Sequence, residues 1–279
     1  MIHCTRTSIV RFAAASAVLA LVAFASPRAF AQSAAQDPAG AAPAAGIEKA
    51  TSALAAAGIP GKVRREIEAR IEKRGERFRE LLSAALADAA ADPWLLARVD
   101  KTKGLSKDYV PADLVHLDGT GISVSRRGHE LREPAYRALL AMEHAARRDG
   151  VDLMVGSAYR SYAYQAGVFA REVRDYGRVQ AERESAHPGS SQHQLGLAID
   201  FAPIDDSFAA TRASRWLREH ARAFGFSLSY PKGYEAITGY RPESWHYRYI
   251  GTAAAALEGE YFGGVQQYLI EFFEAYRSR

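Results

Sequence analysis

The chain has 279 residues, 48% of them hydrophobic and 24% charged, with a formal net charge of +4. Such totals fit one large or two small soluble globular domains. A single cysteine, Cys4, excludes an internal disulfide framework, so the fold must be held by its core, with or without a metal.

Arg6 and Arg11 precede an apolar run from Phe12 to Ala25, and Ala29-Phe30-Ala31 comes next as a small-x-small cleavage site. This pattern predicts a signal peptide over residues 1–31 and therefore export. The apolar run is short for a membrane span, and no later segment is long and apolar enough to cross a bilayer. The leader contains Arg6, Arg11 and Arg28 and no acid, so its removal lowers the formal charge from +4 to +1. The basic pI of 9.1 thus belongs partly to the leader and does not argue for a nucleic-acid partner.

Residues 32–46 are rich in Ala, Pro and Gly and read as a flexible linker. A helical extension is expected over 47–92. Val63, Ile67 and Ile71 recur at i+4, and Phe78, Leu82 and Leu86 continue the stripe after a break near Gly75. Asp92-Pro93 ends it. The remainder, 93–279, reads as one domain. Its first part is irregular, marked by Pro111, Gly119 and Gly121, and is expected to wrap over the surface of the rest of that domain. Pro134 opens a helix reaching Arg148, with Gly150 as its stop. Val151 to Val155 reads as a buried strand and Tyr162 to Tyr176 as a helix. Strands are expected at Leu197–Phe201, Phe226–Tyr230 and Trp245–Ile250. Helices are expected at Ala209–Phe224, Ala253–Leu257 and Val265–Tyr276. This mixture lacks a regular βαβ rhythm and favours an α+β fold with a small antiparallel sheet and flanking helices.

Two short stretches carry ligand chemistry. In Ser-Gln-His-Gln-Leu-Gly-Leu-Ala-Ile-Asp, residues 191–200, His193 precedes the carboxylate of Asp200. In Glu243-Ser-Trp-His246, an acid precedes another imidazole. Zn²⁺ takes imidazole nitrogen and carboxylate oxygen, and three protein ligands leave a vertex for water. His193 and Asp200 can converge if the chain turns at Gly196. Only one of Glu243 and His246 need bind metal. Histidine is the commoner zinc ligand, which suggests His246 for that role and Glu243 for the base. Taken singly, none of these residues is specific. His3, His116, His129, His144, His187 and His220 show no comparable grouping and read as surface or packing residues.

Taken together, Ser191-x-His193-x-x-Gly196-x-Ala198-x-Asp200 followed by Glu243-x-Trp245-His246 resembles the signature of the zinc D-Ala-D-Ala carboxypeptidase family. That group comprises vancomycin-resistance-type D,D-carboxypeptidases and related L,D-carboxypeptidases, with the Hedgehog/D,D-peptidase fold. The stretches Ala158-Tyr159-Arg160-Ser161-Tyr162, Thr238-Gly239-Tyr240 and Arg248-Tyr249-Ile250-Gly251 match as well. The resemblance spans roughly 99–251 and leaves out both the 63–90 helix and the last thirty residues. It implies one Zn²⁺ on His193, Asp200 and His246, with Glu243 as general base. It further implies that Arg160 acts near the scissile carbonyl and, with Gln165 and Ser191, holds the substrate's terminal carboxylate. The implied substrate is a peptidoglycan stem peptide and the implied place a bacterial periplasm or cell envelope. Departures are Gln192 where many members have Glu, Leu195 where many have Thr, and Ser244 where Pro is common. They leave the ligands and base in place and bear on substrate preference. A non-catalytic wall-binding module of the same fold, or a zinc endopeptidase of wall cross-links, is the alternative reading.

Overall fold

A computed structural model describes residues 41–279; the leader and the first part of the linker lie outside the described residues. The helical extension forms as α1 (Ala41–Ala56), α2 (Gly61–Lys73) and α3 (Gly75–Ala91). Helix α1 takes in residues 41–46, which composition alone assigns to a linker. Alanine is the best helix former, and Pro43 sits in the first turn, where its missing N–H costs nothing. The apolar stripe of α2 and α3 is buried at Ile67, Ile71, Phe78, Leu82 and Ala85.

Its partners are the last two helices, α9 (Thr252–Tyr261) and α10 (Gln266–Arg277). Helix α3 lies along α9, and α1 along α10. The Phe78 ring meets Tyr261 edge-on at 5.1 Å, and Phe272 at 6.5 Å. Arg70 donates to the Tyr261 carbonyl at 2.8 Å, and the Tyr261 hydroxyl donates to the Arg74 carbonyl at 2.8 Å. The extension is therefore continuous with the rest of the described chain, which forms one compact unit.

The irregular stretch after α3 wraps the domain as its turn residues suggest. Asp100 pins it, accepting from the backbone N–H groups of Thr102 and Lys103 and from Gln267 on α10. Arg248, 1% exposed, donates to the carbonyls of Leu95 and Ala97. This stretch also contains a pairing that its sequence does not announce. β1 (Leu114–His116) and β2 (Glu130–Arg132) form a two-stranded antiparallel sheet. Three-residue strands are too short for an alternating pattern.

Helix α4 (Glu133–Arg148) starts with Pro134 in its first turn and stops before Gly150, whose φ is +68°. The main sheet comes next, in the order β3-β4-β6-β5, antiparallel throughout. Its strands are β3 (Val155–Ser157), β4 (Ala198–Phe201), β5 (Phe226–Tyr230) and β6 (Glu243–Tyr249). β3 begins at Val155, where the strand expected over Val151–Val155 should end. Val151 and Leu153 are buried all the same, so their run records core packing and not ladder pairing.

Between β3 and β4 run α5 (Tyr162–Tyr176) and the short α6 (Arg178–Glu184). The helix expected over Ala209–Phe224 is divided. A 3-10 turn ends at Ala210, the Thr211 hydroxyl accepts from the Ser214 N–H to start α7 (Arg212–His220), and another 3-10 turn succeeds it. A single turn, α8 (Glu235–Thr238), precedes β6. The result is the expected α+β architecture: a small antiparallel sheet flanked by helices.

Candidate metal centre and active site

The ligand motif folds as a 3-10 turn, Gln192–Leu195, whose cap is Ser191: its hydroxyl accepts from the His193 N–H at 3.3 Å. Gly196 ends the turn with φ +68°, and a Cβ there would lie 2.8 Å from the Arg132 side chain. Only glycine fits both the left-handed backbone and that contact. The chain then enters β4, where Asp200 stands directly opposite His246 of β6. Cross-strand neighbours share a face, so the sheet register itself brings carboxylate and imidazole together.

Glu243 and His246 pose a different problem. Residues three apart on a regular strand point to opposite faces. Here β6 is irregular: Tyr247 pairs with Leu228, yet Glu243 pairs with Tyr230, so four residues of β6 are spanned by two of β5. The slack turns Glu243 back, and its Oε2 lies 3.5 Å from His246 Nδ1.

His193, Asp200 and His246 each offer a ligand atom within 4.8 Å of the others, all buried. His193 Nε2 is 3.1 Å from Asp200 Oδ2, and His246 Nδ1 is 3.0 Å from Asp200 Oδ1. Hydrogen placement decides what these distances mean. His193 Nδ1 lies 2.6 Å from the carbonyl of Ala158, which can only accept, so its proton sits there. His246 Nε2 lies 3.3 Å from Gln192 Oε1 and carries the proton on that side. The inward nitrogens are then lone pairs facing a carboxylate. His193 Nε2 and Asp200 Oδ1 are buried without a hydrogen-bond partner. Buried acceptors gathered around one point are costly unless a cation lies among them. Two imidazoles and one carboxylate of this kind fit Zn²⁺.

The electrostatics agree. Burial, reinforced by Arg160, pushes the His193 imidazole down to about 4, which keeps it neutral and able to ligate. Burial would raise Asp200, and only positive charge on His193 and His246 holds it well below the usual carboxylate range, the part that a cation among them would take once both rings are neutral. Glu243 goes the other way: burial and the charge on Asp200 push it well above, against the pull of Arg160 and Arg241. Two acids on one centre are thus driven apart in proton affinity.

Arg160 donates to Asp200 Oδ2 at 3.0 Å and to Gln165 Oε1 at 3.2 Å, while its buried Nε has no partner. Gln165, 1% exposed, is itself tied to the Ala186 carbonyl and the Ser185 hydroxyl. Its carboxamide orients the guanidinium. All seven residues that the motifs single out line one cavity of about 300 Å³. His187 stays outside the cluster, its ring 4.2 Å from that of Phe169. The same cavity is lined by Tyr230, Tyr240, Arg241 and Trp245, to which the sequence alone assigns no role. Tyr230 packs on His246 at 4.8 Å, and Arg241 is held by Glu184 at 3.0 Å. Trp245 stands inside the signature and Tyr240 in a stretch that matches beside it, whereas Arg241 belongs to no matching stretch.

Residues 128–252 match the family model described as VanY: D-alanyl-D-alanine carboxypeptidase. The chain is 37% identical over 168 residues to YodJ of Bacillus subtilis (strain 168), named as a carboxypeptidase. That match takes in 58% of this chain and 62% of YodJ, so less than two thirds of that curated relative is spanned. Among solved structures it resembles the LdcB LD-carboxypeptidase, described for peptidoglycan recognition. The TM-score is 0.58 at 35% identity, over 64% of this chain and 86% of that one. It also resembles a mutant of the vancomycin-resistance D,D-pentapeptidase VanY in complex with Zn(II). There the TM-score is 0.54 at 31% identity, over 63% and 98%. The signature residues lie in the matched region and carry the geometry described above, and the chain belongs to the VanY-type D-alanyl-D-alanine carboxypeptidase family.

Proposed function

We propose that this chain is an exported zinc carboxypeptidase that removes the C-terminal D-amino acid, D-alanine in the simplest case, from peptidoglycan stem peptides. The convergence of buried lone pairs from His193, Asp200 and His246 beside a proton-accepting Glu243 is the observation that carries this reading. Held by those three residues, a zinc ion would supply Lewis acidity and make water nucleophilic near neutral pH.

The remaining work belongs to the chain. Glu243 takes the proton of the attacking water and delivers it to the departing amine. Its raised proton affinity suits both halves of that transfer, because a carboxylate of ordinary pKa would hold the proton poorly at neutral pH. Arg160, whose guanidinium lines the cavity, is suited to hold the substrate's terminal carboxylate or the oxyanion. Gln165 keeps the guanidinium in place, and Ser191 lines the cavity at the base of the ligand turn. Burial of the site excludes bulk water and strengthens each of these interactions.

Export to the periplasm or cell envelope is proposed from the leader-like residues 1–31; no helix among the described residues is long and apolar enough to cross a membrane. The test is digestion of tetrapeptide and pentapeptide stems, with and without a chelator, with the products read by mass spectrometry. Loss of one alanine, abolished by chelation, is expected. Glu243→Ala is expected to keep zinc while turnover falls about 10²- to 10⁴-fold. Full activity in that variant would rule out this role for Glu243.

A further inference from the structure

His246 can bind a metal through Nδ1 only while its proton stays on Nε2, and that nitrogen faces a side-chain amide, Gln192 Oε1, at 3.3 Å. An amide is an ambiguous partner. Turned over, the Gln192 carboxamide would present its NH₂ to His246, move the proton to Nδ1, and aim that N–H at Asp200. Something must fix which way Gln192 points.

The neighbouring Ser229 does not. Its hydroxyl lies 2.8 Å from Gln192 Oε1, but a hydroxyl rotates and both donates and accepts. Gln266, the first residue of α10, does. Its Oε1 accepts from Gln192 Nε2 at 3.2 Å, and its own Nε2 donates to the backbone carbonyl of Ser227 at 3.3 Å. A backbone carbonyl can only accept, so it sets the direction of the whole series. From Ser227 through Gln266 and Gln192 to His246, each amide presents its oxygen to the next donor. Gln192, Gln266 and Ser229 are at most 5% exposed, so water does not compete for these bonds.

We propose that Gln266 is a positioning residue for the metal centre: by fixing the orientation of Gln192 it holds His246 in the tautomer that leaves Nδ1 free to ligate. Gln266 lies beyond residues 128–252 that match the family model, on a helix packed against the N-terminal extension. The helical layer is thereby joined to the chemistry of the sheet. This rests on the reading that His193, Asp200 and His246 hold zinc.

The experiment compares Gln266→Met, close in shape but unable to set a polarity, with Leu269→Ala, which empties a buried apolar site elsewhere on α10. Zinc affinity is measured by competition with a chromophoric chelator, and the His246 tautomer of the metal-free protein by ¹⁵N NMR. Wild type is expected to show the Nε2–H form. Gln266→Met is expected to bind zinc about tenfold more weakly and to show the Nδ1–H form mixed in. Leu269→Ala is expected to lower the unfolding temperature with zinc affinity unchanged. Should Gln266→Met fail to fold, the wild-type tautomer still decides: an Nδ1–H His246 overturns the proposal. So does a folded Gln266→Met with wild-type affinity, or an equal loss in both variants. A wild-type protein that binds no zinc would instead refute the function on which the inference rests.

Discussion

The sheet site and the helical layer are stabilised by opposite means. Around β4 and β6 the interior is polar: His193, Asp200, Glu243 and His246 are each at most 8% exposed. Around α3, α9 and α10 it is aromatic and aliphatic, with Phe78, Tyr261, Phe262, Phe272 and Phe273 almost wholly buried. The polar cluster is costly to bury and is tolerable only with its bonds completed. The apolar cluster contributes stability by its area and tolerates change of identity if volume is kept. Chemistry is concentrated in the first region and the means to sustain it in the second. They meet at Gln266 to Gln192, and both hold the lead-in stretch, Gln267 of α10 at Asp100 and Arg248 of β6 at Leu95 and Ala97.

That contrast can be broken from either side. The largest effect is expected for His193→Ala, which removes one of the three proposed ligands: both zinc and turnover should be lost, by metal analysis and peptide digestion, with the helical layer still folded by circular dichroism. Retention of stoichiometric zinc would refute the ligand set. Phe78→Ala strikes the other region. It should cost about 3–5 kcal/mol of stability, read from denaturant unfolding, while kcat per folded molecule is unchanged. A fall in kcat at full folding would mean that the two regions are coupled more widely than through Gln266.

The smallest effect concerns the lead-in stretch that both regions hold. Asp100 is held down to about 2, because bonds from Arg98, Thr102 and Gln267 outweigh its burial. A folded-state pKa below the unfolded value near 3.8 means stability that is present in full above about pH 4. It is lost as pH falls toward 2. Asp100→Asn should therefore destabilise by about 2 kcal/mol at pH 7. Its deficit against wild type should shrink as the unfolding midpoint is followed down to pH 3 and below. A deficit independent of pH would show that the carboxylate's charge is not what fixes the lead-in stretch.

Legibility in the sequence divides along the same line. The four residues of the centre stand out only together, through the order of spaced motifs that resembles a known family, and the antiparallel register sets Asp200 opposite His246. Helices α4 and α5 and strand β5 are legible from periodicity and from Pro134 and Gly150 as punctuation. Strands β1 and β2 are not, since three residues carry no period. Nor is the helical start at Ala41, where alanine serves both linker and helix compositions. Gln165 reads as a substrate contact by the resemblance; the structure ties it to Arg160.

By its own composition and patterning the chain pointed to an α+β fold, and by the resemblance of its motifs to a histidine and carboxylate ligand set with an acid beside it. Those are properties of residue type and local order, and they need no tertiary contact. Tertiary structure alone decided which nitrogen of each histidine faces inward, how an irregular β6 turns Glu243 toward His246, and that Gln266, seventy-four residues beyond Gln192, completes the support. These depend on hydrogen-bond direction between segments remote in sequence, and glutamine or serine at such a position carries no pattern until folding brings its partner within reach.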